Sequence, residues 1–99
     1  MSLQKSVDAW DENKRLTNIA NHRVDFRDLV GLDWNSALIF EDRRWDYGET
    51  RLIAMAPLGA RLHVVVFVER DGGRRIISAR KANSREVVFY EKETHPTKG

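Results

Sequence analysis

A tight turn at Asp71-Gly72-Gly73 separates the two most strand-like segments of this chain. The segment from Arg61 to Glu69 has Val64-Val65-Val66-Phe67-Val68 at its centre, and β-branched and aromatic residues favour strands. Because glycine readily adopts the positive φ angles of a two-residue hairpin loop, Arg74 to Arg80 is predicted to fold back antiparallel. The rest of the chain must therefore pack around a long β-hairpin.

Two short helices are predicted before the strands. Asp11 is a suitable N-cap for a first helix over Glu12 to Asn21, and Asp25 is a suitable N-cap for a second helix that ends at Gly31. The first helix has a narrow apolar stripe at i, i+3 and i+4, formed by Leu16, Ile19 and Ala20. Such a stripe is typical of a helix that packs on a core.

Two further strands and a closing helix complete the predicted fold. Ala37 to Phe40 and Arg51 to Ala56 are short apolar runs of strand length. Asn83, followed three residues later by Glu86, matches a capping box and predicts a helix from Ser84 to Glu93. The sequence therefore predicts an α+β fold with two N-terminal helices, a four-stranded, mainly antiparallel sheet and a C-terminal helix.

Length and composition predict one soluble domain over residues 1–99, with flexible ends at 1–9 and 94–99. No apolar run approaches the roughly 20 residues of a membrane span. The chain has no cysteine, so a reducing cytosol is the expected compartment. The first fifty residues carry a net charge of −3 and the rest +5, which suits a basic sheet for one partner and an acidic patch for another. Chance scatter of surface charge explains the asymmetry equally well.

The turn also predicts which residues of the hairpin face each other. If Gly72 and Gly73 are its two central residues, Val66 lies opposite Ala79. The face that carries Val66 is then almost wholly apolar and should meet the helices. A shift of one residue would exchange the faces of one strand.

On this register Arg61, His63 and Arg80 point to the same side of the sheet, and Lys81 adds a second cation beside Arg80. Such a cluster matches the needs of RNA cleavage, because guanidinium groups stabilise the charged phosphorane and imidazole transfers protons near neutral pH. The alternative is that His63 is an ordinary, half-exposed strand residue. The sequence has no His-x-x-x-His pair, phosphate loop or nucleophile elbow, so no metal and no cofactor are expected.

Two other residues leave alternatives open. Arg70 at the hairpin tip is a candidate RNA contact, but the charges there could also form only a surface ion pair. Trp45 lies in the charged loop Glu41 to Glu49, where it could stack on a base, bury in a protein interface or pack on its own sheet. The last of these is the favoured interpretation.

Several segments together resemble the BrnT family of toxins from bacterial type II toxin–antitoxin systems. In chain order they are Trp10–Lys14, Asn18–Phe26, Gly48–Arg51, Arg61–Val66, Arg74–Ala82, Arg85-Glu86 and Tyr90. The block Ile76 to Ala82 is the most specific of them.

This resemblance implies a compact RelE-like fold and a ribonuclease that stops translation. It also implies a cognate antitoxin with a ribbon-helix-helix domain, which neutralises the toxin in a hetero-oligomer and contacts operator DNA. The paired cations at the end of the family's last strand correspond to Arg80 and Lys81, and its strand-edge arginine corresponds to Arg51. Arg23 stands where the family usually has glycine, so we expect a different end to the first helix.

Three functions are therefore compared. The first is an RNA-cleaving toxin that acts without metal through Arg80, Arg61, His63 and Lys81, with Arg51 and Arg70 as further RNA contacts. The second is a weak or inactive toxin homologue that only binds an antitoxin and co-represses transcription. The third is a plain nucleic-acid binder, for which RNA affinity would depend on salt without cleavage.

Overall fold

A five-stranded sheet forms the centre of the fold, and the computed structural model describes residues 8–95. In chain order the elements are β1 (Asp8–Trp10), α1 (Glu12–His22), two 3₁₀ helices (Phe26–Gly31 and Trp34–Ser36), β2 (Leu38–Asp42), β3 (Arg51–Leu58), β4 (Arg61–Arg70), β5 (Gly73–Lys81) and α2 (Ser84–Thr94). The strand order is β1-β5-β4-β3-β2, and all neighbours are antiparallel except β1 and β5.

The α+β class and all four predicted strands are confirmed, but the prediction of a four-stranded sheet is wrong. β1 is a fifth strand, which pairs in parallel with β5 through Asp8↔Arg74 and Trp10↔Ile76. It occupies part of the end predicted to be flexible, and Thr94 likewise belongs to α2. The rest of those predicted ends, residues 1–7 and 96–99, lies outside the described residues. The RelE-like fold implied by the resemblance stays a prediction.

Both ends of α1 follow local capping rules. The Asp11 carboxylate accepts hydrogen bonds from the backbone N–H groups of Asn13 and Lys14, at 2.7 and 3.3 Å. Arg23 ends the helix with φ +62°, and its N–H donates to the carbonyl oxygen of Ile19 at 2.9 Å. The expectation of a different helix end is therefore wrong, because Arg23 adopts the left-handed conformation that glycine usually supplies.

α1 uses polar residues to pack, and its apolar stripe does not form the contact. Leu16 is 52% exposed, whereas Arg15 and Asn18 are buried. The Asn18 amide donates to the carbonyl oxygens of Val24 and Ala79, at 2.9 and 2.7 Å, and its oxygen accepts from the N–H of Ala79 at 3.0 Å. α1 therefore takes the place of a neighbouring strand along the edge of β5 beyond β1.

The hairpin turn is centred one residue earlier than predicted. Asp71 and Gly72 have φ +52° and +78°, and Arg70 pairs with Gly73. These positive φ angles at both central residues match an Asp-Gly turn of the type that suits the twist of a hairpin. The prediction that Gly72 and Gly73 are the central residues is therefore wrong.

A β-bulge then shifts the hairpin register back by one residue. Phe67 pairs with Ile76, whereas Val66 pairs with Ser78, so Ile77 is the extra residue of β5. Beyond the bulge Ala79 lies opposite Val65 and not opposite Val66, as the sequence had predicted. Every residue from Ser78 to the end of β5 consequently faces the side opposite to the predicted one.

Both faces of the sheet carry an apolar cluster. On the α1 face the sheet packs against the 3₁₀ helices, and the buried residues are Val24, Phe26, Leu29, Leu32, Ala54, Ala56, Val65, Phe67, Ile76 and Ala79. On the α2 face they are Met55, Leu62, Val64, Ala82 and Tyr90. The sheet is thus a central layer, with α2 covering one end of its second face.

α2 is held at its start and along its length. The predicted capping box is confirmed, since the Asn83 side chain accepts from the N–H of Glu86 and the Glu86 carboxylate accepts from the N–H of Asn83, both at 2.9 Å. Tyr90 donates its hydroxyl to the carbonyl oxygen of Ser36 at 2.6 Å, which ties the helix to the segment before β2. No helix within residues 8–95 has the length and apolar composition needed to cross a membrane.

Candidate functional site

The predicted Arg–His–Arg cluster does not form, because Arg80 and His63 lie on opposite faces of the sheet. Arg80 pairs with Val64 and points to the α2 face, whereas His63 pairs with Lys81 and points to the α1 face. The bulge at Ile77 is the physical reason, since it turns the end of β5 over relative to β4. The prediction that Arg61, His63 and Arg80 point to one side is therefore wrong.

His63 and Arg61 have structural contacts at the other end of β4. The His63 side chain is buried, with only 5% of the residue exposed, and its Nδ1 donates to the carbonyl oxygen of Arg61 at 2.9 Å. The Arg61 guanidinium donates to the carbonyl oxygen of Ala82 at 3.1 Å. His63 is thus buried on the face opposite Arg80, and the catalytic role predicted for it has no support from this geometry.

Arg80 is held in one orientation by α2. Its Nη1 and Nη2 donate to the two carboxylate oxygens of Glu86, at 2.8 and 2.7 Å. These hydrogen bonds lower the pKa of the Glu86 carboxyl and raise that of the Arg80 guanidinium, so both stay charged near neutral pH. The Arg80 side chain remains 39% exposed, and its free edge is open to a ligand.

Four arginines, Arg44, Arg51, Arg75 and Arg80, gather on the α2 face and are called the arginine cluster below. Arg51 precedes Leu52, the partner of Phe67, and Arg75 pairs with Val68, so strand alternation places the Arg51 and Arg75 side chains on this face. Arg44 follows β2 and is held by Asp42, which pairs with Arg51 and so lies on the same face. Arg51 and Arg75 therefore place positive charge at the end of the face that α2 leaves uncovered, whereas Arg80 lies beside the start of α2.

Asp42 and Tyr47 fix two of these arginines. The buried Asp42 carboxylate accepts two hydrogen bonds from the Arg44 guanidinium, both 2.8 Å, and one from the Tyr47 hydroxyl at 3.1 Å. These donors hold the pKa of the Asp42 carboxyl well below its usual range. The Arg51 guanidinium lies over the Tyr47 ring, 3.9 Å from its centre, and its buried Nε has no hydrogen-bond partner within residues 8–95.

The charge balance of the arginine cluster favours an anion. Arg44 and Arg80 are ion-paired with Asp42 and Glu86, whereas no ion pair within residues 8–95 neutralises Arg51 or Arg75. Like charges that are held close together are relieved by a bound phosphate. Within residues 8–95, no three His, Cys, Asp or Glu side chains form a group that could hold a metal ion.

Of the remaining predicted RNA contacts, Arg70 lies two residues after Val68 on β4 and so shares the α2 face, but it is ion-paired. Arg70 forms an ion pair with Glu49 at 2.6 Å and so ties the hairpin tip to the loop before β3. Lys81 is exposed but points to the α1 face. Trp45 is 73% exposed, so the favoured interpretation that it packs on its own sheet is wrong.

Comparison with known proteins gives the family. A family model for the ribonuclease toxin BrnT of type II toxin–antitoxin systems matches residues 10–86. The chain belongs to the BrnT family. The fold is also similar to the 1.1 Å crystal structure of the Brucella abortus ribonuclease toxin BrnT, with 30% sequence identity and a TM-score of 0.64. This similarity covers 80% of the present chain and 100% of the Brucella chain. No curated protein matches the sequence.

Membership in the BrnT family confirms the predicted resemblance. It supports a ribonuclease toxin of a toxin–antitoxin system and does not favour the non-enzymatic co-repressor. The sequence prediction did not select Arg44, Arg75 or Tyr47 for the site. One signal could have found two of them, because Arg44 and Tyr47 lie at i+2 and i+5 from Asp42, within reach of one buried carboxylate at a strand end.

Proposed function

We propose that this BrnT-family protein is a metal-independent endoribonuclease that binds RNA at the arginine cluster. Arg80 is the catalytic residue in this proposal, and Arg44, Arg51 and Arg75 bind the flanking phosphates. The observation that carries it is the pairing of Arg80 with Glu86, which fixes a guanidinium that stays partly exposed on the α2 face, beside the start of α2.

The chemistry needs little besides positive charge and alignment. The ribose 2′-oxygen forms a bond to phosphorus, and the bond from phosphorus to the 5′-oxygen breaks. The proton of the 2′-hydroxyl passes to water, and the leaving 5′-oxygen takes one up. Guanidinium groups stabilise the extra negative charge of the phosphorane between these events, and this can lower the barrier substantially when the donors are held in place.

Arg80 suits this role better than the other cations do. Its two terminal nitrogens are anchored on Glu86, so it loses little conformational freedom when it meets a phosphate. The neighbouring Arg44 is anchored on Asp42 in the same way. Arg61, His63 and Lys81, which the sequence had included, point to the α1 face and have no part in the proposed site.

The proposal includes the biological setting that the family implies. RNA cleavage in the bacterial cytoplasm would inhibit translation, and a cognate ribbon-helix-helix antitoxin would neutralise the toxin in a hetero-oligomer. Contact with operator DNA would occur only through that antitoxin. The excess positive charge of the arginine cluster supports this arrangement, because an acidic antitoxin segment could cover it and exclude RNA.

Cleavage of RNA by antitoxin-free protein in EDTA tests the enzymatic part. We expect Arg80→Ala to lower kcat by about 10²–10³-fold, as removal of one fixed donor to a developing charge does. Arg27→Ala is the matched control, since Arg27 is an exposed, ion-paired arginine on the α1 side. The products should carry 2′,3′-cyclic phosphate, and a 2′-O-methyl group at the cleaved position should block the reaction.

Two results would refute the proposal. If Arg80→Ala and Arg27→Ala had equal activity, the arginine cluster would not be the site. If EDTA abolished cleavage and added Mg²⁺ restored it, the reaction would depend on a metal ion.

A further inference from the structure

Trp45 is the most exposed aromatic side chain that the described part of the chain presents beside the arginine cluster. It is 73% exposed in the loop between β2 and β3, where residues 41–50 line an open groove of about 550 Å³. Residues 8–95 give its ring no aromatic or cationic partner. An exposed tryptophan offers a large, rigid apolar ring together with a polar N–H, which suits it to contact with a binding partner.

The loop that carries Trp45 is tied down on both sides. The Arg44 N–H and guanidinium both donate to Asp42, at 3.2 and 2.8 Å, and the Gly48 N–H donates to the Asp46 carboxylate at 3.0 Å. The ion pair of Glu49 with Arg70 adds a link to the hairpin tip. A loop fixed in this way presents its aromatic ring with little ordering cost on binding.

Tyr47, the other aromatic residue of the loop, already uses its ring and its hydroxyl in contacts within the protein. The guanidinium of Arg51 covers its ring at 3.9 Å, and its hydroxyl donates to Asp42. Tyr47 therefore serves to position Arg51, and Trp45 is the aromatic residue of the loop whose ring is open to a ligand.

We propose that Trp45 is a base-stacking subsite for RNA, next to the phosphate bound by Arg44. The inference rests on the proposed function, because it assigns the phosphate and the base of one RNA nucleotide to the consecutive residues Arg44 and Trp45. Every base has a flat π-face, so stacking of this kind tolerates any sequence but requires an unpaired base. The protein should therefore bind single-stranded RNA more tightly than a duplex of the same sequence.

Binding of a 2′-O-methyl RNA oligonucleotide, which cannot be cleaved by attack of the 2′-oxygen, tests the subsite directly. We expect Trp45→Leu to weaken binding about 5- to 100-fold and Trp45→Phe to stay close to the wild type, because phenylalanine retains a stacking face. Val30→Ala is the control, since Val30 is 91% exposed in the first 3₁₀ helix, on the α1 side.

Intrinsic fluorescence gives a second measurement on the same samples. Trp10 and Trp34 pack on Phe26 and Phe67, so quenching by RNA should come chiefly from Trp45 and disappear in Trp45→Phe while the affinity remains. In cleavage assays Trp45→Leu should raise KM with little change in kcat, as loss of uniform binding does.

The outcomes separate this inference from the proposed function. Equal affinity of the wild type and Trp45→Leu would overturn the subsite, even if Arg80-dependent cleavage were observed. Quenching without any RNA cleavage would support the subsite and refute the nuclease. If Trp45→Leu kept full RNA affinity but escaped neutralisation by the protein of the adjoining reading frame, Trp45 would be a protein contact and the inference would be wrong.

Discussion

Replacement of Asn18 by alanine should cost this fold more stability than its place on a short surface helix suggests. The Asn18 side chain completes the backbone hydrogen bonding of Ala79, which is fully buried, and also serves the carbonyl of Val24. In Asn18→Ala these three backbone groups lose their partner, and the region is too closed for water to replace it easily. Ala79 precedes Arg80, so the same contact supports the strand that carries the guanidinium proposed to be catalytic.

The magnitude follows from these three hydrogen bonds. Each contributes about 0.5–1.5 kcal/mol net, and a buried group left unsatisfied costs about 1–3 kcal/mol. We therefore expect Asn18→Ala to lower the free energy of unfolding by about 2–4 kcal/mol, and Tm by roughly 10–20 °C for a domain of this size. A typical total of about 5–15 kcal/mol would leave the variant folded at 25 °C.

Urea unfolding followed by far-UV circular dichroism measures this loss. Asn21→Ala is the matched control, because Asn21 is an exposed asparagine one turn later on α1. Asn18→Asp keeps the size but removes both donors and places a carboxylate against two carbonyl oxygens, so it should destabilise at least as much. If Asn18→Ala and Asn21→Ala differed by less than about 0.5 kcal/mol, the reasoning from unsatisfied backbone groups would be refuted.

Two further predictions concern other parts of the molecule. Glu86→Gln keeps an oxygen for the capping box but removes the carboxylate that fixes Arg80. The kcat of RNA cleavage should therefore fall at least tenfold, while circular dichroism shows an intact helix. An unchanged kcat would show that Arg80 needs no such support. Arg23→Gly removes the strain of a side chain on a left-handed residue, so the free energy of unfolding measured in urea should rise by about 0.5–1 kcal/mol. A lower free energy of unfolding would mean that the Arg23 side chain stabilises the fold by contacts of its own.

Local sequence signals predicted most of the elements. The capping box at Asn83 and the apolar run of β4 depend on neighbouring residues only, and both were found where the sequence had placed them. β1 was missed because three residues carry no periodic signal, and its pairing with β5 is set by tertiary contact. The apolar stripe of α1 gave a wrong prediction of the buried face for a related reason. The hydrogen bonds of Asn18 to the edge of β5, and not apolar contacts, decide which face of the helix packs on the sheet.

The candidate site was predicted in part, and its failure has one cause. Arg80 and Arg51 were selected and do lie on the same face, but His63 and Arg61 were assigned to it through the hairpin register. That register depended on the centre of the turn and on a bulge at Ile77. The change at the turn moves the pairing by two residues and keeps the faces, whereas the bulge exchanges them. Neither is encoded by apolar alternation, because Val65 and Val66 satisfy either face equally well.

Glu86 serves both the start of α2 and the orientation of Arg80 with one carboxylate. If Arg80 is catalytic as proposed, order in the first helical turn and competence for RNA cleavage are a single property of this molecule. A ligand that unwinds that turn would then stop cleavage without occupying the RNA site. A substrate phosphate that draws Arg80 away would, by the same linkage, loosen the helix from its first residue onward.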